Sequence, residues 1–381
     1  MSPSPDVRDE FPVLSRCVYL NSNSTGAFPR GARAVLDGYW ATLEDWRDEA
    51  WESWWGELHA YCDAVAAFVG GTPGSVVTDA NATSLLARLA TALDFQSRPR
   101  VVISDLEFPT MEVLWRSAAR LGAELVVVPS RGLGSGVEID AGALIEAIDA
   151  RTRLVCVSHA TFATGALLDV RHVARAAHDA GAWLALDAYQ TLGVVPVDVN
   201  ALDVDFLLGG AHKWLCGAPD LGFLWIRPEL VSRLEPVTGW MALADPLSFR
   251  ASTELAPGAR RLASGTPAVL PAMFSRVGLE LIREAGIETI RRDSIRRSAR
   301  IIERADASDV PVATPRDAER RGGIVCLRPA HAEALTARLK ARGFVASHRD
   351  GIRIAPHFYN TDDEVERFMD ALDDELRAAR A

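Results

Sequence analysis

Residues 185–190 read Ala-Leu-Asp-Ala-Tyr-Gln, and residues 206–213 read Phe-Leu-Leu-Gly-Gly-Ala-His-Lys. Each stretch is a short apolar run of strand length that gives way to a charge, Asp187 in the first and Lys213 in the second. In open α/β sheets ligands bind beyond the carboxyl ends of strands, so both charges stand where function is expected. A structural ion pair between Asp187 and Lys213 is the plainer alternative.

Outward from these two runs the same texture continues. Short apolar runs alternate with longer amphipathic stretches, the pattern of strands feeding helices in a mostly parallel sheet. Strands are predicted at Val101–Ile103, Leu125–Val128, Leu154–Val157, Trp183–Leu186, Phe206–Leu208 and Phe223–Ile226. Helices are predicted at Met111–Leu121 and Val170–Ala180, and Leu85, Leu86, Leu89 and Leu93 recur at helical spacing. Near the N-terminus Trp40, Trp46, Trp51, Trp54 and Trp55 crowd a helical segment, where core or subunit interface is expected of large aromatics and substrate stacking is the alternative.

After about residue 250 the pattern becomes α+β. Helices are predicted near Val269–Ala285, Glu288–Arg304 and Ala332–Arg342, with strands at Ile324–Leu327 and Ile352–Ala355. Thr361 followed by Glu364 reads as a capping box opening a last helix with a solvent-exposed charged face. The expected division is a large domain over 30–250 and a small domain made of 1–29 and 251–381.

Composition narrows the function classes. The 381 residues are 49% hydrophobic and 24% charged, with a formal net charge of -10. Such a chain folds as an ordinary globular protein and offers no field for nucleic acid or anionic membranes. The start lacks a basic, then apolar, leader, and no run of ~18 apolar residues appears, so a cytoplasmic protein is expected. Cys17, Cys62, Cys156, Cys216 and Cys326 are odd in number and unpaired as CxxC, which predicts neither a disulfide frame nor a zinc site. Of 41 basic residues only Lys213 and Lys340 are lysines; the other 39 are arginines.

Pyridoxal 5'-phosphate (PLP) needs a lysine to hold it as an imine and an acid for its pyridine nitrogen, because the protonated ring absorbs electrons from a substrate carbanion. Lys213 and Asp187 fit these two tasks, and Gly209, Gly210 and Gly217 would let backbone approach such a group closely. The segment from Asp187 to Gln190, the Gly-Ala-His-Lys at 210–213 and the spacing between them resemble the class V aminotransferase superfamily. Ordered matches run over nearly the whole chain: residues 19–24 (Tyr-Leu-Asn-Ser-Asn-Ser), 108–110 (Phe-Pro-Thr), 164–169 (Thr-Gly-Ala-Leu-Leu-Asp), 195–198 (Val-Pro-Val-Asp), 239–240 (Gly-Trp) and 265–266 (Gly-Thr) are most similar to kynureninase-like members.

The resemblance implies a fold type I PLP enzyme, with a mostly parallel seven-stranded sheet in the large domain and a small α+β C-terminal domain. It implies that Phe108 stacks on the pyridine ring and that Gln190 hydrogen-bonds its phenolic oxygen, where kynureninases carry histidine and desulfurase-like members glutamine. Ala82, Thr83 and His212 would cradle the phosphate, and kynureninases have tyrosine in the place of His212. Trp240 and Thr266 would reach the phosphate of the neighbouring subunit, which implies a homodimer with shared active sites. Arg353 would grip the substrate α-carboxylate through two parallel hydrogen bonds, and His159 and Thr161 match positions along the cofactor's face. Lys213, once freed, would remove the α-proton.

The function implied is kynureninase-like cleavage at the β-carbon of a small L-amino acid. The alternatives are a class V aminotransferase, a cysteine β-lyase or desulfurase-like enzyme, an epimerase, or a PLP-free binding protein on the same fold. A desulfurase needs a cysteine shortly before the carboxylate arginine, and between Leu327 and Ile352 there is none.

Overall fold

The computed structural model describes residues 5–46, 50–134 and 136–380, so residues 1–4 and 381 of the expected small domain, and 47–49 and 135 of the large one, lie outside the described residues. Seven strands form the central sheet: β1 (Val76–Asp79), β2 (Arg100–Ser104), β3 (Glu124–Val128), β4 (Thr152–Ser158), β5 (Trp183–Asp187), β6 (Phe206–Gly210) and β7 (Gly222–Ile226). Their spatial order is β1-β7-β6-β5-β4-β2-β3. All neighbours pair in parallel except β7, which runs antiparallel to both β6 and β1.

The apolar runs are continuous because both sheet faces are buried. Alternate side chains enter two separate cores: Val101, Ile103, Leu154, Cys156, Phe206 and Leu208 on one face, and Val102, Val155, Val157, Leu184, Leu186 and Leu207 on the other. The first core is closed by α3 (Ala82–Thr91) and α4 (Pro109–Ser117), through Leu85, Leu89, Met111 and Trp115. The second is closed by α2 (Ala50–Phe68), α5 (Val170–Asp179) and α6 (Val269–Ala285), through Tyr61, Val65, Val173, Ala177, Leu279 and Ile282. Each fully buried branched or aromatic side chain contributes about 1.5–3 kcal/mol, so a polar substitution at Leu207 or Phe206 would breach one core while sparing the other.

Beyond residue 286 the elements are α7 (Ile287–Ala307), α8 (Ala332–Ala341), α9 (Asp362–Arg380) and an antiparallel sheet in the order β8-β10-β9, formed by β8 (Val325–Leu327), β9 (Ser347–His348) and β10 (Ile352–Ile354). Val18 and Leu20 join Ile301, Leu327, Leu335, Ile354 and Phe368 in a third core. Val18–Tyr19 also pairs in parallel with Phe344–Val345. The capping box at α9 is formed: Glu364 N–H donates to Thr361 Oγ1 (3.2 Å), and Thr361 N–H donates to Glu364 Oε2 (2.9 Å).

The charged face of α9 is exposed, as expected, at Asp363, Arg367, Asp370 and Asp374; Arg304 of α7 bonds Glu366 (2.6 Å), Asp370 (2.7 Å) and Asp373 (2.9 Å) along its edge, and Glu364 is buried against Arg8. Of the five clustered tryptophans only Trp54 is buried; Trp40 on α1 (Ala32–Glu44), Trp46 and Trp51 are exposed. The helix predicted at Met111–Leu121 ends at Ser117 and tightens into a 3-10 turn closed by Gly122 in a left-handed conformation. Among the described residues no helix is long and apolar enough to cross a membrane.

Candidate active site

The carboxyl ends of β4, β5 and β6 open on a cavity of about 310 Å³ that Ser158, Asp187 and Lys213 help to line. Register explains the meeting: Ser158 lies opposite Asp187, and Asp187 lies opposite Leu208, five residues before the lysine. Ala82, Thr83, Phe108, Gln190, His212 and Arg353 line the same cavity. Eight positions singled out in the sequence are therefore brought together from five separate segments, at 82–83, 108, 187–190, 212–213 and 353.

Local structure aims several of these side chains. Pro109 occupies the first turn of α4, where its missing N–H costs nothing, and so leaves Phe108 at the cap with its ring half-exposed over the cavity. Asn81 caps α3 by accepting Ser84 N–H on Oδ1 (2.9 Å), leaving the first-turn N–H groups of Ala82 and Thr83 beside the cavity. Helix N-termini attract anions, and Thr83 adds a hydroxyl, a donor set that fits a phosphate. Gly222 permits this placement, since a Cβ there would lie 2.3 Å from Ala82 N.

The Lys213 ammonium sits 4.7 Å from the centroid of the Tyr189 ring and 5.7 Å from that of Phe108. Burial, assisted by repulsion from Arg353, lowers it to about 8 despite the pull of Asp187. An amine so depressed is partly neutral, and hence nucleophilic, near physiological pH. Burial raises the Asp187 carboxyl, opposed by the Tyr189 N–H that donates to Oδ1 (2.9 Å) and by the Lys213 charge. A cationic ring nitrogen above Asp187 would restore its ionised form, because an opposite charge at contact outweighs part of the desolvation.

Arg353 donates from Nη1 to the carbonyl of Phe162 (2.7 Å), while its buried Nε has no hydrogen-bond partner among the described residues. Burial, then repulsion from Arg349, lowers it to about 10. An orphaned guanidinium edge is a place for a carboxylate. The donor sets at α3, Lys213, Asp187 and Arg353 together fit PLP and an amino acid.

Gln190 lines the cavity, but its amide also holds the fold: Nε2 donates to the carbonyl of Asn23 (3.0 Å) and Oε1 accepts from Trp214 Nε1 (3.0 Å). One N–H of the amide remains for a phenolic oxygen. His159 and Thr161 do not line the cavity. The His159 ring turns to Thr191 Oγ1 (3.1 Å), burial lowers it to about 4, and Thr161 bonds Thr164 (2.7 Å). Both are buried groups with protein partners. Trp240 and Thr266 also stay outside this cavity: Trp240 stacks on Phe249 with ring centroids 5.6 Å apart, and Thr266 lines a second cavity of about 540 Å³.

Sequence reasoning missed four residues. Tyr189, beside the lysine, lay inside the decisive segment, but its position depends on Gly210, where a Cβ would meet its hydroxyl at 1.7 Å. Asn23 lay in a matched segment without a role, and Arg349 carried no signal among 39 arginines. Glu107 is buried under the site, accepting from Ser104 Oγ (2.7 Å) and Ser158 Oγ (2.5 Å); burial, with a smaller push from Asp187, raises it to about 7. Its place next to Phe108 was the available hint.

A family model described as Aminotransferase class-V matches residues 58–368. An uncharacterized aminotransferase of Bacillus subtilis is 27% identical over 96% of both chains. A kynureninase of Burkholderia pseudomallei is 27% identical over 98% of this chain and 93% of its own, and the isopenicillin N epimerase of Streptomyces clavuligerus is 29% identical over 93% and 94%. Among solved structures, a cysteine desulfurase of Thermococcus onnurineus superposes with a TM-score of 0.87 at 23% identity, covering 99% of both chains. The cystine C-S lyase C-DES superposes with a TM-score of 0.86 at 21% identity, covering 96% of this chain and 99% of its own. At these identities the structural likeness shows a shared fold.

Proposed function

The chain belongs to the class V aminotransferase family of PLP-dependent enzymes, and from that premise we propose that it cleaves a bond at the β-carbon of a small L-amino acid, in the manner of a kynureninase or a lyase. The observation that carries the reading is the convergence of Lys213, Asp187, Phe108 and Arg353 on one cavity at the carboxyl edge of the sheet. PLP, when bound, supplies the electron sink that makes the substrate α-hydrogen acidic.

The chain's own residues would divide the remaining work. Arg353 would orient the substrate through its α-carboxylate, using the edge that has no protein partner. Lys213 would hold the cofactor covalently and, when displaced, act as the base that moves the α-proton; its lowered affinity for protons suits this task. Asp187 would hold the ring nitrogen's proton from below, and Phe108 would cover the ring. Thr83, Ala82 and His212 would take the phosphate.

Lyase or hydrolase chemistry is favoured over desulfurase chemistry by the thiols. No cysteine lines the cavity among the described residues. Cys326, the nearest candidate, lies opposite Arg353 in register, but it is buried in β8 and burial raises its thiol to about 11. It would not supply a thiolate at neutral pH.

A homodimer with shared sites belongs to the same proposal. Trp240 and Thr266 lie outside their own chain's cavity, as residues serving a neighbour would, and the exposed Trp40, Trp240 and Phe249 are apolar surface that a partner could cover. The proposed small domain is residues 1–29 and 251–381 beside a large domain of 30–250; the third core, which joins Val18 and Leu20 to residues 301–372, supports its more distal part, whereas Val269–Ala285 packs on the central sheet. Five free cysteines suit a reducing, cytoplasmic setting.

The test is a substrate panel of L-kynurenine, 3-hydroxykynurenine, L-cysteine sulfinate, cysteine S-conjugates and L-alanine, scored for alanine, pyruvate and ammonia. Alanine from kynurenine, or pyruvate with ammonia from an S-conjugate, is expected. Keto acid formed only in the presence of an amino acceptor would mean transamination and would overturn β-cleavage. Sedimentation at micromolar concentration tests the dimer, and a monomer that retains full activity would contradict it.

A further inference from the structure

We infer that the cavity selects an amino acid whose side chain ends in a second carboxylate, and that Arg349 is the residue that recognises it. The inference rests on the reading of this cavity as an amino-acid site and adds the substrate class to it.

The hairpin of β9 and β10 puts two guanidiniums on one wall. Ser347 lies directly opposite Arg353, so their side chains share a face of the pair. Arg349 stands two residues beyond Ser347 and returns to that face, because strand side chains alternate with a period of two. The chain then reverses tightly: Arg349 N–H donates to Gly351 O (3.0 Å), Asp350 has φ 53° and Gly351 φ 144°. Both Arg349 and Arg353 line the cavity, and their repulsion contributes to lowering the Arg353 value.

Among the described residues this pair of cations lacks an anion. The acid next in sequence, Asp350, is turned away and bonds Arg328. Among the described residues Arg349 has one side-chain hydrogen bond, to the carbonyl of its neighbour His348 (3.3 Å), and it forms no salt bridge. Among the described residues Asp187 is the only carboxylate lining the cavity, and it lies at the floor beside Lys213. The contrast with the rest of the molecule is sharp, since Arg296, Arg300, Arg304, Arg338 and Arg342 each face a carboxylate.

An amino acid satisfies Arg353 with its α-carboxylate and leaves Arg349 as an exposed cation at the lip of the same cavity. A ligand with a carboxylate at each end removes the repulsion and gains a charge-assisted hydrogen bond. One such contact is worth on the order of tenfold in affinity. Because Arg349 is at the rim, the advantage weakens as ionic strength rises.

The test uses the PLP-loaded enzyme. Its visible absorption is titrated with L-glutamate against L-glutamine, and with L-2-aminoadipate against L-norleucine, to obtain dissociation constants. The dicarboxylic member of each pair is expected to bind about tenfold tighter, with the ratio falling at high salt. Arg349→Gln is expected to bring both ratios close to one, and Arg349→Lys to restore part of the preference. Equal binding of acid and neutral partner by the unaltered enzyme, or an acid preference that survives Arg349→Gln, overturns the inference. Failure of the underlying reading is separately visible, since a chain that takes up no PLP at Lys213 would show no cofactor absorption to titrate.

Discussion

Replacing Asp187 by Asn is the most informative perturbation of the charge balance around Lys213. Burial and Arg353 carry the Lys213 ammonium from its ordinary 10.5 down to about 8, with Asp187 pulling the other way. The change corresponds to about 3 kcal/mol of lost preference for the charged form. Removing the Asp187 charge takes away the attraction while leaving the burial, so the variant should titrate below about 8. Arg353→Gln removes a repulsion and should move Lys213 upward. Because the chain has only two lysines, acetylation by acetic anhydride read peptide by peptide in the mass spectrometer separates Lys213 from Lys340. The neutral amine is the species that reacts, so in cofactor-free protein the Lys213 rate should rise with pH and reach half its maximum near pH 8. A Lys213 that titrates near 10.5 in all three proteins would refute the reasoning.

Glu107 makes a second pH-dependent prediction. Its carboxyl is raised from 4.5 to about 7 by burial, so its contribution to stability is complete below about pH 4.5 and is lost as pH rises through about 7. The loss is on the order of 3 kcal/mol; Glu107→Gln should flatten that part of the stability curve, and thermal unfolding at several pH values with an unchanged slope would contradict this. Gly222→Ala places a methyl 2.3 Å from the Ala82 nitrogen. It should weaken PLP binding at least tenfold, an order-of-magnitude estimate from losing one charge-assisted phosphate contact; equilibrium dialysis giving the unaltered affinity would count against the phosphate assignment. Thr361→Ala removes the hydroxyl that accepts Glu364 N–H and should cost about 1 kcal/mol in urea unfolding, whereas an unchanged midpoint would mean that the cap is energetically idle.

Much of the fold was legible in the sequence because the central strands are buried on both faces. Runs such as Arg100–Ser104 and Phe206–Gly210 alternate between two cores and so appear as unbroken apolar stretches. The strand Val76–Asp79 escaped notice because it sits at the sheet edge and offers two apolar residues before its polar end. The tryptophans of residues 40–55 divide between the core, at Trp54, and the surface, where the first helix turns Trp40 outward.

The site divides along the same physical line. Asp187 and Lys213 were legible because each is a charge at the end of an apolar strand, a local contradiction that sequence displays directly. Arg349 and Glu107 were not, since each takes its meaning from non-local partners: the face shared with Arg353 across a hairpin in one case, Ser158 on the neighbouring strand in the other. His159 shows the reverse case. It follows a strand-end serine that lines the cavity, yet one step along the chain turns its ring to the opposite side, onto Thr191.

Borohydride treatment of the PLP-loaded protein, followed by peptide mapping, addresses the central claim most directly. The account predicts loss of the visible band near ~420 nm expected of a protonated PLP-lysine link and a reduced pyridoxyl group on the peptide carrying Lys213, with no colour in Lys213→Ala. A pyridoxyl group found on Lys340, or a protein that takes up no cofactor at all, would contradict it.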